Sequence, residues 1–262
     1  MNNVDRIRSK LSERELFLGM PVLFADPMVS EVAIEAGYDF IFIDMEHSPF
    51  TLQTALAHLV AMRGTDTAAF IRVPWADPVQ IKPIIELHPA GIIVPMVCTA
   101  EEAATAVAAC KYPPKGIRGF APCRGVGFGA MSTAEYLENA DEQTLVIVQV
   151  EHIKAVENLD AILATPGIDT ILIGPYDLSG SMGVLGQITH PKVVAVIEQV
   201  VARTVEAGIP IGLAGCPQDA MAGWVEKGIS WFSLAGDYGL LYQGAKAQLD
   251  EARSIGPQDR KG

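Results

Sequence analysis

Asp44, Glu46 and His47 fall within four positions, at the end of the run FIFIDMEHSPF. His47 stands three residues past Asp44, a spacing that lets the carboxylate hold the imidazole in one orientation. That pairing suits a general base working near neutral pH. A histidine on a surface loop has the same spacing, so the motif alone leaves both readings open. Arg72, in IRVPW, offers a planar guanidinium suited to a carboxylate or an enolate oxygen, and equally to a structural ion pair. Gln149 and Glu151, two apart in VIVQVE, share a strand face, and Gly174-Pro175-Tyr176-Asp177 closes the next apolar run. A carboxylate at such a place must be paired, protonated or metal-bound, because an isolated charge is too costly to bury. Glu151 and Asp177 are therefore expected either to converge on one ion or to leave Glu151 in a salt bridge with Arg72. Two carboxylates without a Cys or His pair suit Mg²⁺ or Mn²⁺ better than structural zinc. No candidate strand contains a lysine, which leaves Schiff-base and pyridoxal chemistry without a reactive amine.

Eight short apolar runs must position these groups: 21–24, 40–44, 69–73, 91–95, 145–151, 170–175, 209–215 and 230–236. Helical patterns lie between them, at 30–37, 51–64, 100–111 and 190–208, the last with Pro191 at its start and Gly208 at its end. The alternation predicts an α/β fold, a (β/α)8 TIM barrel with flanking N- and C-terminal helices. An open doubly wound sheet is the competitor, weakened because no G-x-G-x-x-G turn follows the first run. The polar groups all sit at the C-terminal ends of their strands, where barrel enzymes place their chemistry. Residues 112–143 form one long excursion, with the turn PPKG, the segment RGFAPCRGVGFG and a short helix expected at 132–140. No repeat or linker appears, so residues 1–262 read as one domain.

The remaining polar residues read as ordinary. Asp237 suits either the rim or a helix cap; His88 and His190 precede prolines, and His152 opens a helix. Trp224 and Trp231 are expected in the core, and the glycines of 212–215 and 234–237 are weak candidates for phosphate contact. A net charge of −12 argues against nucleic acid, which needs a basic face. Cys98, Cys110, Cys123 and Cys216 form no C-x-x-C or zinc spacing. The charged start lacks a signal-peptide core, and no apolar run approaches the ~18 residues a membrane span needs. A reduced, cytoplasmic protein acting on small molecules is the expectation.

The stretches FIDMEHSPF, IRVP, IIVPMVCTAEEA, YPPKGIRGF, VIVQVE and ILIGPYDLSGSMG together resemble the metal-dependent (class II) pyruvate aldolases. That family includes 4-hydroxy-2-oxoheptanedioate and 2-dehydro-3-deoxyglucarate aldolases. The resemblance runs in matching order from about residue 15 to 240. It implies a (β/α)8 barrel, a divalent Mg, Mn or Co ion, and a homohexamer built as a trimer of dimers. By motif, Glu151 and Asp177 would ligate the ion with Gln149 near its waters. Backbone around Gly174 and Tyr176 would hold the substrate carboxylate. Arg72 would steady the enolate oxygen, and His47, oriented by Asp44, would move protons, with Glu46 in support. Glu86 matches an acid that shapes a neighbouring subunit's substrate site in relatives. The chain departs from the family at Gly19-Met20-Pro21, which lacks a tryptophan, at His88-Pro89, and at Ala121 and Cys123.

The implied function is a lyase that reversibly cleaves a 4-hydroxy-2-oxo acid to pyruvate and an aldehyde. An oxaloacetate decarboxylase would need the same metal site. A relative of the citrate-lyase β-subunit acting on acyl-CoA would need a basic landing site, which the charge pattern does not offer. A non-catalytic barrel kept for assembly would have no need of Asp44, His47, Arg72, Glu151 and Asp177 together.

Overall fold

Alternation along the strands decides which side chains enter the barrel. In β2 (Phe40–Asp44) every residue is buried, with Phe40 and Phe42 in the interior and Ile41 and Ile43 under the helices. The other strands are β1 (Phe17–Val22), β3 (Ala68–Arg72), β4 (Gly91–Val94), β5 (Leu145–Val150), β6 (Thr170–Ile173), β7 (Ile211–Ala214) and β8 (Trp231–Ser233). All eight pair in parallel, each with its sequence neighbours, and β1 closes on β8. The structure, a computed structural model describing residues 3–255, is thus a (β/α)8 barrel rather than an open sheet. The first strand begins at Phe17, four residues before the expected run; Gly19 and Pro21 interrupt the apolar pattern that would have marked it.

The helices obey local rules. Thr51 and Thr99 each cap a helix through reciprocal bonds with the third helical residue, Thr54 and Glu102. The helix Pro191–Glu206 starts on Pro191 and is followed by Gly208 at φ 78°. The excursion carries the expected short helix, Thr133–Asn139, and its own small core of Tyr112, Tyr136 and Ala140.

Inside the barrel, Phe17, Phe40, Phe70 and Trp231 pack ring against ring, with Phe40 and Phe70 stacked at 4.6 Å. Gly19 and Gly212 admit them: a Cβ at either would strike the ring of Phe40 or Trp231. Helix Val4–Glu13 lays Val4, Ile7 and Leu11 against this layer and closes the N-terminal end. The opposite helix, Asp237–Ser254, buries only its first residue and leaves Leu240, Leu241, Tyr242 and Leu249 exposed. Among the described residues no helix is long and apolar enough to cross a membrane.

Candidate functional site

Above the aromatic layer the inward positions turn polar. Asp44 and Arg72 are register partners on β2 and β3, so their side chains meet at the C-terminal rim. Arg72 donates from Nε to Asp44 Oδ1 (3.0 Å) and from Nη2 to Oδ2 (2.6 Å), a two-point contact that fixes the guanidinium plane. Arg72 Nε also lies 3.1 Å from Glu46 Oε2, close in distance but not aligned for a hydrogen bond. Asp44 Oδ1 further accepts the backbone N–H groups of Glu46 (3.0 Å) and His47 (3.2 Å), and the Ser48 hydroxyl donates to the Asp44 carbonyl. Asp44 therefore folds the turn that carries His47 and does not touch its imidazole. The acid near the ring is Glu46, whose Oε2 is 3.6 Å from His47 Nε2. Burial raises the Glu46 pKa above the usual carboxylate value, against the pull of Arg72 and His47. His47 itself is 57 % exposed and lines the open cleft.

Glu151, just past β5, is 2 % exposed, and among the described residues it forms no salt bridge with a lysine or arginine, Arg72 being near enough to act only through its charge. Arg72 is committed to Asp44 and Glu46, so the salt bridge with Glu151 is not formed. One Glu151 oxygen accepts the Met96 N–H (2.8 Å) and the other accepts from Gln149 Nε2. Burial pushes its pKa up to about 7, against the Met96 hydrogen bond and the charge of Arg72, with Glu46 and Asp177 adding to the rise. Gly174 makes room for this group: a Cβ there would lie 2.6 Å from Glu151 Oε2 and 2.8 Å from Gln149 Nε2. The Gly174 N–H donates to Val150 O (3.2 Å), so it is not free for a substrate carboxylate. Tyr176 and Asp177, in the first turn of helix Pro175–Ser181, have N–H groups without intrahelical acceptors, and both side chains face the cleft.

Among the described residues no three His, Cys, Asp or Glu side chains gather as a metal-binding group. The donor set here is Glu151, Asp177 and the buried, unpartnered Gln149 Oε1. A buried carboxylate with no cation beside it fits a hard divalent ion that keeps several waters, as Mg²⁺ does.

The cleft over these groups holds about 670 Å³ and brings together Asp44, His47, Arg72, Gln149, Gly174, Tyr176 and Asp177. Glu151, buried against Gln149 and Gly174, does not itself line the cleft, and neither does Glu86. Glu86 ends helix Pro78–Ile85, on the way into β4 and so at the N-terminal face, and pairs with Arg118 Nε at 3.0 Å. The excursion lies on that face too, where Arg124 donates to Leu87 O. Asp237 sits at the rim but does not line the cleft: its Oδ2 accepts Leu23 N–H and Phe24 N–H, tying the loop after β1 to the helix after β8. Two groups escaped the sequence reading. The Met96 N–H is placed by a left-handed residue (φ 55°) that no local pattern announces. Ser233 shares the inward face with Trp231 and could have been found by alternation.

The profile of the family described as HpcH/HpaI aldolase/citrate lyase matches residues 18–243. A hydroxypyruvate/pyruvate aldolase of Roseobacter denitrificans is 36% identical over 246 residues, covering 93% of this chain and 95% of the relative. A 5-keto-4-deoxy-D-glucarate aldolase of Salmonella arizonae is 34% identical over 254 residues, covering 95% and 98%. The crystal structure of an HpcH/HpaI aldolase/citrate lyase family protein from Burkholderia cenocepacia superposes with a TM-score of 0.88 at 30% identity, covering 97% of this chain and 100% of that one.

Proposed function

The chain belongs to the HpcH/HpaI aldolase/citrate lyase family, a carbon–carbon lyase acting on small 2-oxo acids, and from that premise we propose a divalent-metal-dependent aldolase. Its reaction is the reversible cleavage of a 4-hydroxy-2-oxo acid to pyruvate, or a related 2-oxo acid, and an aldehyde. The observation that carries this reading is Glu151: a buried carboxylate with no salt-bridge partner among the described residues, while the nearest arginine, Arg72, is tied to Asp44 and Glu46.

Glu151 and Asp177 would hold a Mg, Mn or Co ion, with Gln149 beside them. When bound, the ion draws electron density from the 2-oxo group and makes the adjacent carbon acidic. Arg72, held flat by Asp44 through Nε and Nη2, presents Nη1 to the oxygen that gains charge. The N–H groups of Tyr176 and Asp177 receive the substrate carboxylate. His47 Nε2 takes the proton from the C4 hydroxyl as the C3–C4 bond breaks and returns it in the reverse direction. Glu46, with Oε2 3.6 Å from His47 Nε2, lies beside the imidazole at the rim. Among the described residues Arg72 is the only Lys or Arg lining the cleft, which disfavours an acyl-CoA substrate. The bare apolar face of helix Asp237–Ser254 supports a homo-oligomer, a hexamer on the family resemblance.

Deuterium exchange of the pyruvate methyl group tests the reading without a choice of aldehyde. Exchange with Mg²⁺ or Mn²⁺ that stops in EDTA is the expected result. Exchange that persists in EDTA, or none in a metal-loaded enzyme, would refute it.

A further inference from the structure

The closed ring sets β5, with Gln149 and Glu151, across the barrel from β1, and sets β2 and β3, with the acids and Arg72, across from β6 and β7. The acids and Arg72 occupy two arcs of the rim, leaving β7, β8 and β1 as the wall that an incoming second substrate meets. These strands contribute Ala214, Ser233 and Pro21 to the cleft, and Leu23, Cys216 and Leu234 follow them. Tyr238 and Gln243 of the last helix also reach this wall, yet Ser233 is 1 % exposed and its hydroxyl has no hydrogen-bond partner among the described residues. A buried hydroxyl left unpaired costs about 1–3 kcal/mol, and a ligand group that reaches it recovers much of that. A carboxylate on the same ligand would instead meet Asp44 and Asp177, with Arg72 already engaged by Asp44.

We propose that the aldehyde taken by this enzyme is uncharged and carries a hydroxyl close to its carbonyl, and that Ser233 is the residue that selects it. The inference rests on the aldolase reading above and names the second substrate of that site. In condensation, C3 of the 2-oxo acid loses a proton and bonds to the aldehyde carbonyl carbon, whose oxygen takes up a proton to become the C4 hydroxyl. No further reactant is needed. The aldehyde's own hydroxyl bonds to Ser233 Oγ and takes no part in the bond change.

The test uses the Mn²⁺-loaded enzyme with pyruvate and three aldehyde types: glycolaldehyde, acetaldehyde, and the charged glyoxylate and succinic semialdehyde. In Ser233→Ala the ratio of kcat/KM for glycolaldehyde over acetaldehyde should fall roughly three- to tenfold, the worth of one net hydrogen bond. Acetaldehyde turnover and pyruvate deuterium exchange should stay at wild-type levels, and because the hydroxyl is unpartnered the variant should fold normally. An unchanged ratio, an equal loss on acetaldehyde, or a wild-type preference for the charged aldehydes overturns the inference while exchange continues. Absence of exchange in the wild type overturns the aldolase reading and this inference together.

Discussion

Replacing Glu151 by Gln should stabilise the metal-free protein at alkaline pH. Burial raises the Glu151 pKa from 4.5 to about 7, while the unfolded chain releases this proton near the ordinary value. Between those two pH values the folded state binds more protons than the unfolded one, so stability falls as pH rises. A change of one in pKa corresponds to about 1.4 kcal/mol, which puts the full loss near 3 kcal/mol above pH 7. Glutamine removes the titration and can keep the geometry. Its oxygen accepts the Met96 N–H, and its amide meets the unpartnered Oε1 once Gln149 flips. Glu46 shifts in the same direction, so the informative quantity is wild type against variant at each pH. Urea unfolding in EDTA at matched protein concentration, from pH 5 to pH 8.5, measures it. The variant should gain on the wild type progressively, by up to about 3 kcal/mol, and Mn²⁺ should stabilise the wild type alone. A difference that does not vary with pH would refute the reasoning, as would equal stabilisation of both proteins by Mn²⁺.

His47→Ala should keep its melting temperature, since the ring is largely exposed, and lose turnover by roughly 10²–10⁴-fold while still binding Mn²⁺; steady-state kinetics and calorimetry separate the two. Arg72→Lys keeps the charge but not the two-point contact with Asp44, and should lower kcat by about 10²-fold or more; a normal kcat would remove Arg72 from the reaction. His88 is pushed down to about 4 by burial and by Arg118 and Arg124, so its neutral form is favoured in the fold. The unfolded chain takes up that proton near pH 6.5, and stability should fall by up to about 3 kcal/mol as pH drops towards 4. His88→Asn, which tolerates the left-handed backbone at φ 61°, should flatten that acid limb; an unchanged limb in urea titrations would disprove the assignment.

The polar residues of the site were legible because each ends an apolar run, and a barrel gathers strand ends on one rim. Their pairing was not. Sequence spacing joins Asp44 to His47, whereas parallel register joins Asp44 to Arg72, and register is a property of two strands at once. Once Arg72 is taken, Glu151 has no salt-bridge partner among the described residues, a fact no single motif contains. The start of β1 was hidden for a packing reason: Gly19 is small because Phe40 fills its place. Glu86 reads as a site residue only by family resemblance, and within this chain it lies at the other end of the barrel with Arg118.

The aromatic layer, sealed beneath by helix Val4–Glu13, gives the cleft a closed floor. Two substrates of the proposed reaction would both enter and leave over that floor, one stacked above the other. On the proposed aldolase reading, a 2-oxo acid seated against Gln149 and Arg72 lies beneath the aldehyde and is expected to arrive before it and depart after it. Steady-state patterns should then be ordered, with pyruvate the competitive product inhibitor of cleavage and the aldehyde the noncompetitive one. The residues that never touch a reactant thus dictate the sequence of events for those that do.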